Sequence, residues 1–199
     1  MLDPGDAWPW LVRLGEARQG SDEAAVTQAL FQIAQRDRAS TRARLLSATM
    51  TEVIGPEPTL GEAWALIAAV GTDMSNHLRG SLTSVGRACG PVALKDANRR
   101  QLCEQAARRL PAMASETMDA GALYSLEERL GLPHSPQALS REDISRSQQV
   151  FSEQSMAWLE EPSCANVSGM GRQLVKLARE GELASMRAYL KAAPAASPR

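Results

Sequence analysis

Apolar residues recur three and four positions apart along most of the chain and almost nowhere alternate, so the pattern predicts helices rather than strands. Asp6 or Asp3 caps a first helix running to about Gln19, with Pro4 or Pro9 in its opening turn and Gly20 as its stop. Ser21 caps a second, whose stripe is Val26, Ala29, Leu30, Ile33 and Ala34, and the two make a tight antiparallel hairpin. Ser40 opens a third through Leu45, Leu46, Met50 and Val53, ended by Gly55-Pro56-Glu57-Pro58, where two prolines forbid continuation. Thr59 and Glu62 have the spacing of a capping box, leading a helix with the stripe Ala63, Leu66, Ile67 and Val70. A further helix begins near Asp73 and runs to Cys89.

Gly90-Pro91 turns the chain, and Asp96 caps a helix through Leu102, Cys103, Ala106, Ala107 and Leu110. Pro111 separates it from one that buries Met113, Met118, Leu123, Leu126 and Leu130 and stops at Gly131. Leu132-Pro133-His134-Ser135-Pro136 has the composition of a linker; Ser140 with Asp143 then caps a long polar helix to about Leu159, ended by Pro162. Helices near Ala165–Arg179 and Glu182–Ala192 flank Gly181. The expectation is an all-α fold of about nine or ten helices in antiparallel hairpins, either a repeat-like array or an irregular bundle. Residues 1–193 read as a single helical domain with sub-units 1–55, 59–131 and 136–193, and the tail 194–199 has too little to bury to escape fraying.

Composition narrows the function classes. At 199 residues the chain fits one well-packed domain or a short stack of small units, and 4% aromatic content with few β-branched runs favours helix. Acids are interspersed among the bases, with a net charge of −1, so no strongly positive face for nucleic acid is expected. Of the bases only Lys95, Lys176 and Lys191 are lysine. The densest basic run, Arg36, Arg38, Arg42 and Arg44, reads first as a solvated face and second as a site for an acidic partner. No stretch reaches the ~20 apolar residues that span a bilayer, and the N-terminus as written lacks the basic and apolar regions of a secretory leader.

Two segments share one offset of 56: Gly5/Gly61, Asp6/Glu62, Ala7/Ala63, Trp8/Trp64, Leu11/Ile67, Leu14/Val70 and Gly15/Gly71. They read as a degraded repeat of a helix start, in which Trp8 and Trp64 anchor equivalent helices against their neighbours. Leu2-Asp3-Pro4, Ala7 and Trp10, followed by Leu14-Gly15 and then Ala25, Ala29 and Ala34, resemble the tetratricopeptide pattern over Leu2 to Arg36. The spacing departs from that family by one residue between Trp10 and Leu14. The resemblance implies a helix-turn-helix unit of a protein-binding solenoid. In that family the leucine-aspartate-proline follows a preceding helix, which implies that the natural chain begins upstream, its leader or anchor removed.

Cys89, Cys103 and Cys164 lack metal-ligand spacing. Cys89 and Cys103 fall across the Gly90-Pro91 turn, where a disulfide and a pair of buried reduced thiols are both open readings; Cys164 is expected alone and buried. Asp73 and His77 share a helix face as half of an acid-base or metal site, with nothing to complete it, and His134 is expected to face solvent. Phosphate-loop, nucleophile-elbow and dinucleotide motifs are missing, and no cofactor is expected. Glu62, Glu104 and Glu116 are the candidates for a carboxylate site, each with a plainer role as cap or surface charge. The leading expectation is a non-enzymatic protein-binding module of the bacterial periplasm or envelope, for which an inhibitor or immunity-type protein against an antibacterial enzyme is one concrete form. The alternatives are a hydrolase with an unrecognised carboxylate site and a cytoplasmic helical adaptor.

Overall fold

The computed structural model describes residues 5–39, 49–50, 52–74, 82–149 and 163–192, with the side chains of 70–74 and 189 excluded. The fold is all-α. Its helices are α1 Trp8–Gln19, α2 Glu23–Ile33, α3 Leu60–Met74, α4 Thr83–Ala88, α5 Ala97–Met113, α6 Thr117–Leu130, α7 Cys164–Glu180 and α8 Glu182–Ala192. A 3-10 turn at Ala93–Lys95 precedes α5, and residues 141–149 are also helical. Among the described residues there is no strand; Asp6 and Arg38 make an isolated bridge, in which Ala7 N–H donates to the Arg38 carbonyl at 2.8 Å.

Contacts divide the chain into two units, Met1–Arg42 with Asn76–Ser140, and Ala43–Ser75 with Arg141–Arg199. Each unit joins segments distant in sequence, along other lines than the linker-delimited sub-units 1–55, 59–131 and 136–193. The expected tail 194–199 lies outside the described residues, as does most of the third expected helix.

In the first unit α1 and α2 form the expected hairpin, α2 packs on α5, and α4 lies against α1 and α6. Leu11, Leu14, Val26, Ala29, Leu30 and Ile33 are buried as their spacing requires. The cap of α2 is one residue later than expected: Asp22 accepts from Ala25 N–H at 3.0 Å, and Ser21 takes the left-handed turn with φ 55°. Asp96 caps α5 as expected, accepting from Arg99 N–H at 2.7 Å. The Arg99 guanidinium, largely buried, then ties α5 to α2 through Glu23 at 2.8 Å and Thr27 at 3.0 Å.

Pro111 does not end that helix, which continues to Met113. A proline removes one backbone donor and crowds the preceding turn, yet Leu110 and Met113 are both buried, and their packing holds the last turn in place. In α6 the expected interior position of Met118 is corrected too: Met118 is exposed, and Asp119 is buried in its stead. Leu123, Leu126 and Leu130 fix the phase of the stripe, and position 119, not 118, lies four and seven residues from them. Gly131 ends α6 in the left-handed conformation at φ 69°, as expected of a C-terminal glycine.

The six residues of α4 are too few to be helical alone. Both of its ends are held by α6. The Asp119 carboxylate accepts from Leu82 N–H at 3.1 Å at the N-terminus, and Arg129 donates to the carbonyls of Gly86 at 2.8 Å and Cys89 at 3.1 Å at the C-terminus. Negative charge thus meets the positive helix end and positive charge the negative end. Cys89 and Cys103, both fully buried, lie at disulfide distance with Cα atoms 5.9 Å apart, joining α4 to α5.

In the second unit α3 packs on α7 and α8 on α7. Ile54, Leu66 and Val175 form its core, with Met50 and Leu174 against it. Ser163 caps α7 by accepting from Asn166 N–H at 3.2 Å, and Gly181 separates α7 from α8 as expected. The α3–α7 approach is close: a Cβ on Gly171 would stand 2.5 Å from Ala63 Cβ and 3.1 Å from Pro58 Cγ. The expected fresh start near Asp73 does not occur, since Asp73 lies inside α3. Cys164, expected to be buried, is exposed.

Gly171→Ala is therefore expected to lower the unfolding free energy by about 1–3 kcal/mol through overpacking. Gly61→Ala, whose Cβ would meet nothing within 4 Å, should be neutral or stabilising by up to ~1 kcal/mol; denaturant midpoints distinguish the two. Alkylation of the folded chain should label Cys164 alone, and reduction should lower stability by about 3 kcal/mol for a loop of this length.

Candidate binding surface

The start of α3 is closed by a reciprocal set of cap hydrogen bonds. Thr59 N–H and Oγ1–H each donate to Glu62 Oε2 at 2.7 Å, and Glu62 N–H returns a longer bond to Thr59 Oγ1 at 3.4 Å. This is the expected capping box. The Thr59 hydroxyl first, and its backbone N–H second, hold the Glu62 carboxyl below its ordinary pKa. Glu62 is committed to this structural role.

Beyond the cap, α3 is apolar on two sides. Ala63 and Leu66 are buried toward α7, whereas Leu60 is 38% and Trp64 56% exposed. Trp64 is thus not an anchor. Alanine occupies the buried position in both matched segments: Ala7 and Ala63 are fully buried, Trp8 is half-buried, and Trp10 is the tryptophan packed on the first unit's core, with Arg13 over its ring at 5.7 Å. In a helix the residue next to a core position turns about 100° away, and the approach of α3 to α7 at Gly171 leaves room for a methyl group and none for an indole. Val53, which the third expected helix runs through, is 82% exposed. Among the described residues of this unit the exposed large apolar side chains are Val53, before the Gly55-Pro56-Glu57-Pro58 turn, and Leu60 and Trp64, one helical turn apart after it.

The other expected site residues are not brought together. Arg36 is half-buried and donates to Gln32 at 2.8 Å, Arg38 is exposed and bridged to Asp6 through the backbone, and Arg42 and Arg44 lie outside the described residues. Glu104 accepts from Arg100 at 3.1 Å, and Glu116 stands at the N-cap position of α6. The Asp73 side chain and His77 lie outside the described residues. His134, exposed as expected, stacks on Tyr124 with ring centroids 4.0 Å apart, and its Nδ1 lies 3.4 Å from Glu127 Oε2.

Glu127 was missed by sequence reasoning. Its side chain is only 4% exposed, and it accepts from Ser135 N–H at 3.0 Å, so it organises the segment after α6. A carboxylate in phase with the leucine stripe is the signal that would have revealed both Glu127 and Asp119. The corner at Trp64 had a signal as well. Residues 45–76 contain no lysine, arginine or histidine, and the stretch from Leu60 to Ala69 holds a single charge, Glu62. A helix apolar on all sides requires cover on all sides.

Because the carboxyl of Glu62 has a lowered pKa, its contribution is complete above the unfolded-state carboxylate range and is lost as pH falls through the folded-state pKa. Glu62→Gln should flatten the acid limb of the stability profile of the second unit, and Thr59→Ala should produce the same flattening. An unchanged acid limb in both variants would show that the pair carries no such linkage.

Comparison with family models, with curated proteins and with solved structures gives no match for this chain.

Proposed function

We propose that the protein is a non-enzymatic, protein-binding helical module, and that its interface is the corner formed by Val53, Leu60 and Trp64. The exposure of these three side chains on one hairpin carries the reading. Tryptophan contributes more binding energy per residue than most side chains when a partner desolvates it, and clustered exposed apolar groups mark interaction surfaces. The helix-turn-helix hairpins, and the tetratricopeptide-like spelling of residues Leu2 to Arg36, support the same class of function.

The buried pair Cys89 and Cys103 supports an oxidising location, which for this composition is the bacterial periplasm or the outer face of the envelope. Among the described residues no helix is long and apolar enough to cross a membrane. An inhibitor or immunity-type protein, bound to the enzyme it blocks, fits a small chain whose sequence lacks the common catalytic motifs.

Affinity capture from cells of the source, run on the wild-type chain beside Trp64→Glu, tests the proposal. A protein retained by the first and lost from the second is the expected result, with matching melting temperatures because residue 64 is exposed. The same proteins on both would remove the corner as the interface. Hydrolytic turnover with no captured protein would remove the binding reading itself.

A further inference from the structure

The outer face of α3 is complementary in size to a copy of itself. α7 packs on α3 at Ala63 and Leu66, which are buried. On the side away from them Gly61, Trp64 and Ala68 are exposed and follow one another at spacings of three and four, so they line a single face, with Leu60 and Ala65 at its margins. Trp64 is the one large side chain on that line, and the positions a turn to either side of it are a glycine and an alanine. A Cβ on Gly61 would meet nothing within 4 Å. The face therefore carries a knob and, one turn before it, a hollow.

The charges permit the same contact. A two-fold contact sets each group near its own copy, so a face with net charge repels itself. From Leu60 to Ala69 the single ionisable group is Glu62, which is held in the cap by Thr59; in the preceding turn Glu57 has its own cation, Arg172, at 3.4 Å.

We propose that in the free protein a second copy of the chain covers this face, the two α3 helices lying antiparallel so that the indole of each Trp64 enters the hollow at Gly61 of the other. This rests on the reading of Trp64 as part of a protein-binding surface, and adds what covers that surface when no other protein does. An antiparallel two-fold brings positions 61 and 64 of one copy opposite 64 and 61 of the other, and large meets small at both points; a parallel pair would set indole against indole. The contact covers about three turns of one helix, well short of the ~800 Å² per partner of a standard interface, so the dimer is weak and forms at high protein concentration.

Sedimentation equilibrium of the full chain over a wide concentration range tests this. The weight-average mass should rise from that of one chain toward that of two, and Trp64→Ala should weaken the association about tenfold or more. Gly61→Leu fills the hollow and should weaken it as much, with an unchanged melting temperature because position 61 is open. Nonspecific apolar association would respond in the opposite sense, since that variant adds apolar surface. Exchanging the two residues, Gly61→Trp with Trp64→Gly, keeps large opposite small and should recover dimer that Gly61→Trp alone lacks. Association unmoved by Trp64→Ala, or strengthened by Gly61→Leu, would overturn the proposal. A chain monomeric at every concentration that still captures another protein through Trp64 would overturn it too, and leave the binding surface standing.

Discussion

A core built of alanine and leucine, with few aromatic residues to fill space, holds together only where its helices come close, and both units of this protein are organised by that constraint. Ala7, Ala29, Ala106, Ala107 and Ala120 are buried in the first unit, where a methyl group is all that the packing accommodates at each position. In the second, the same requirement is met where Gly171 faces Ala63. Close packing of this kind leaves few voids and little tolerance for added volume. It also decides where large side chains go: an indole beside the Ala63 contact has no space inward, and Trp64 stands outside.

The interior polar groups follow from a second consequence of short helices. A six-residue helix leaves most of its backbone groups without partners of its own, and α4 has these supplied at both ends by one neighbour, through Asp119 and Arg129. Glu127 does similar work for the segment that follows α6. These carboxylates lie in phase with the leucines of α6, so the face that makes the core also carries the fixed charges that arrange the backbone around it. The Cys89–Cys103 pair adds a link at the end of α4, where helical hydrogen bonding is weakest.

Read this way, the corner at Val53, Leu60 and Trp64 stands apart from the rest of the molecule. Among the described residues of the first unit Phe31, Val92 and Met118 are exposed too, far apart in sequence, and single exposed apolar residues are ordinary. Val53, Leu60 and Trp64 fall within twelve residues of one another, in a stretch, 45–76, that itself carries no lysine, arginine or histidine. The capping box of α3 fixes the helix start, and hence the spacing of Leu60 and Trp64.

The sequence by itself determined the all-α fold, the stops at Gly131 and Gly181, the caps at Asp96 and Thr59–Glu62, and the stripes of α2 and α6 apart from Met113 and Met118. Each of these depends on groups within a turn or two of one another, so local spelling was sufficient. The start of α2 was displaced by one residue, because Ser21 and Asp22 are both competent caps and the turn geometry chose between them. Only the tertiary structure decided that Pro111 would lie within a helix, that Asp119 and Glu127 would be buried, and that α3 would pair with α7 across about a hundred residues of chain. The matched letters around Trp8 and Trp64 recorded a shared helix start and could not record which side of it would be covered. That choice belongs to the neighbour, and the neighbour of α3 approaches at an alanine.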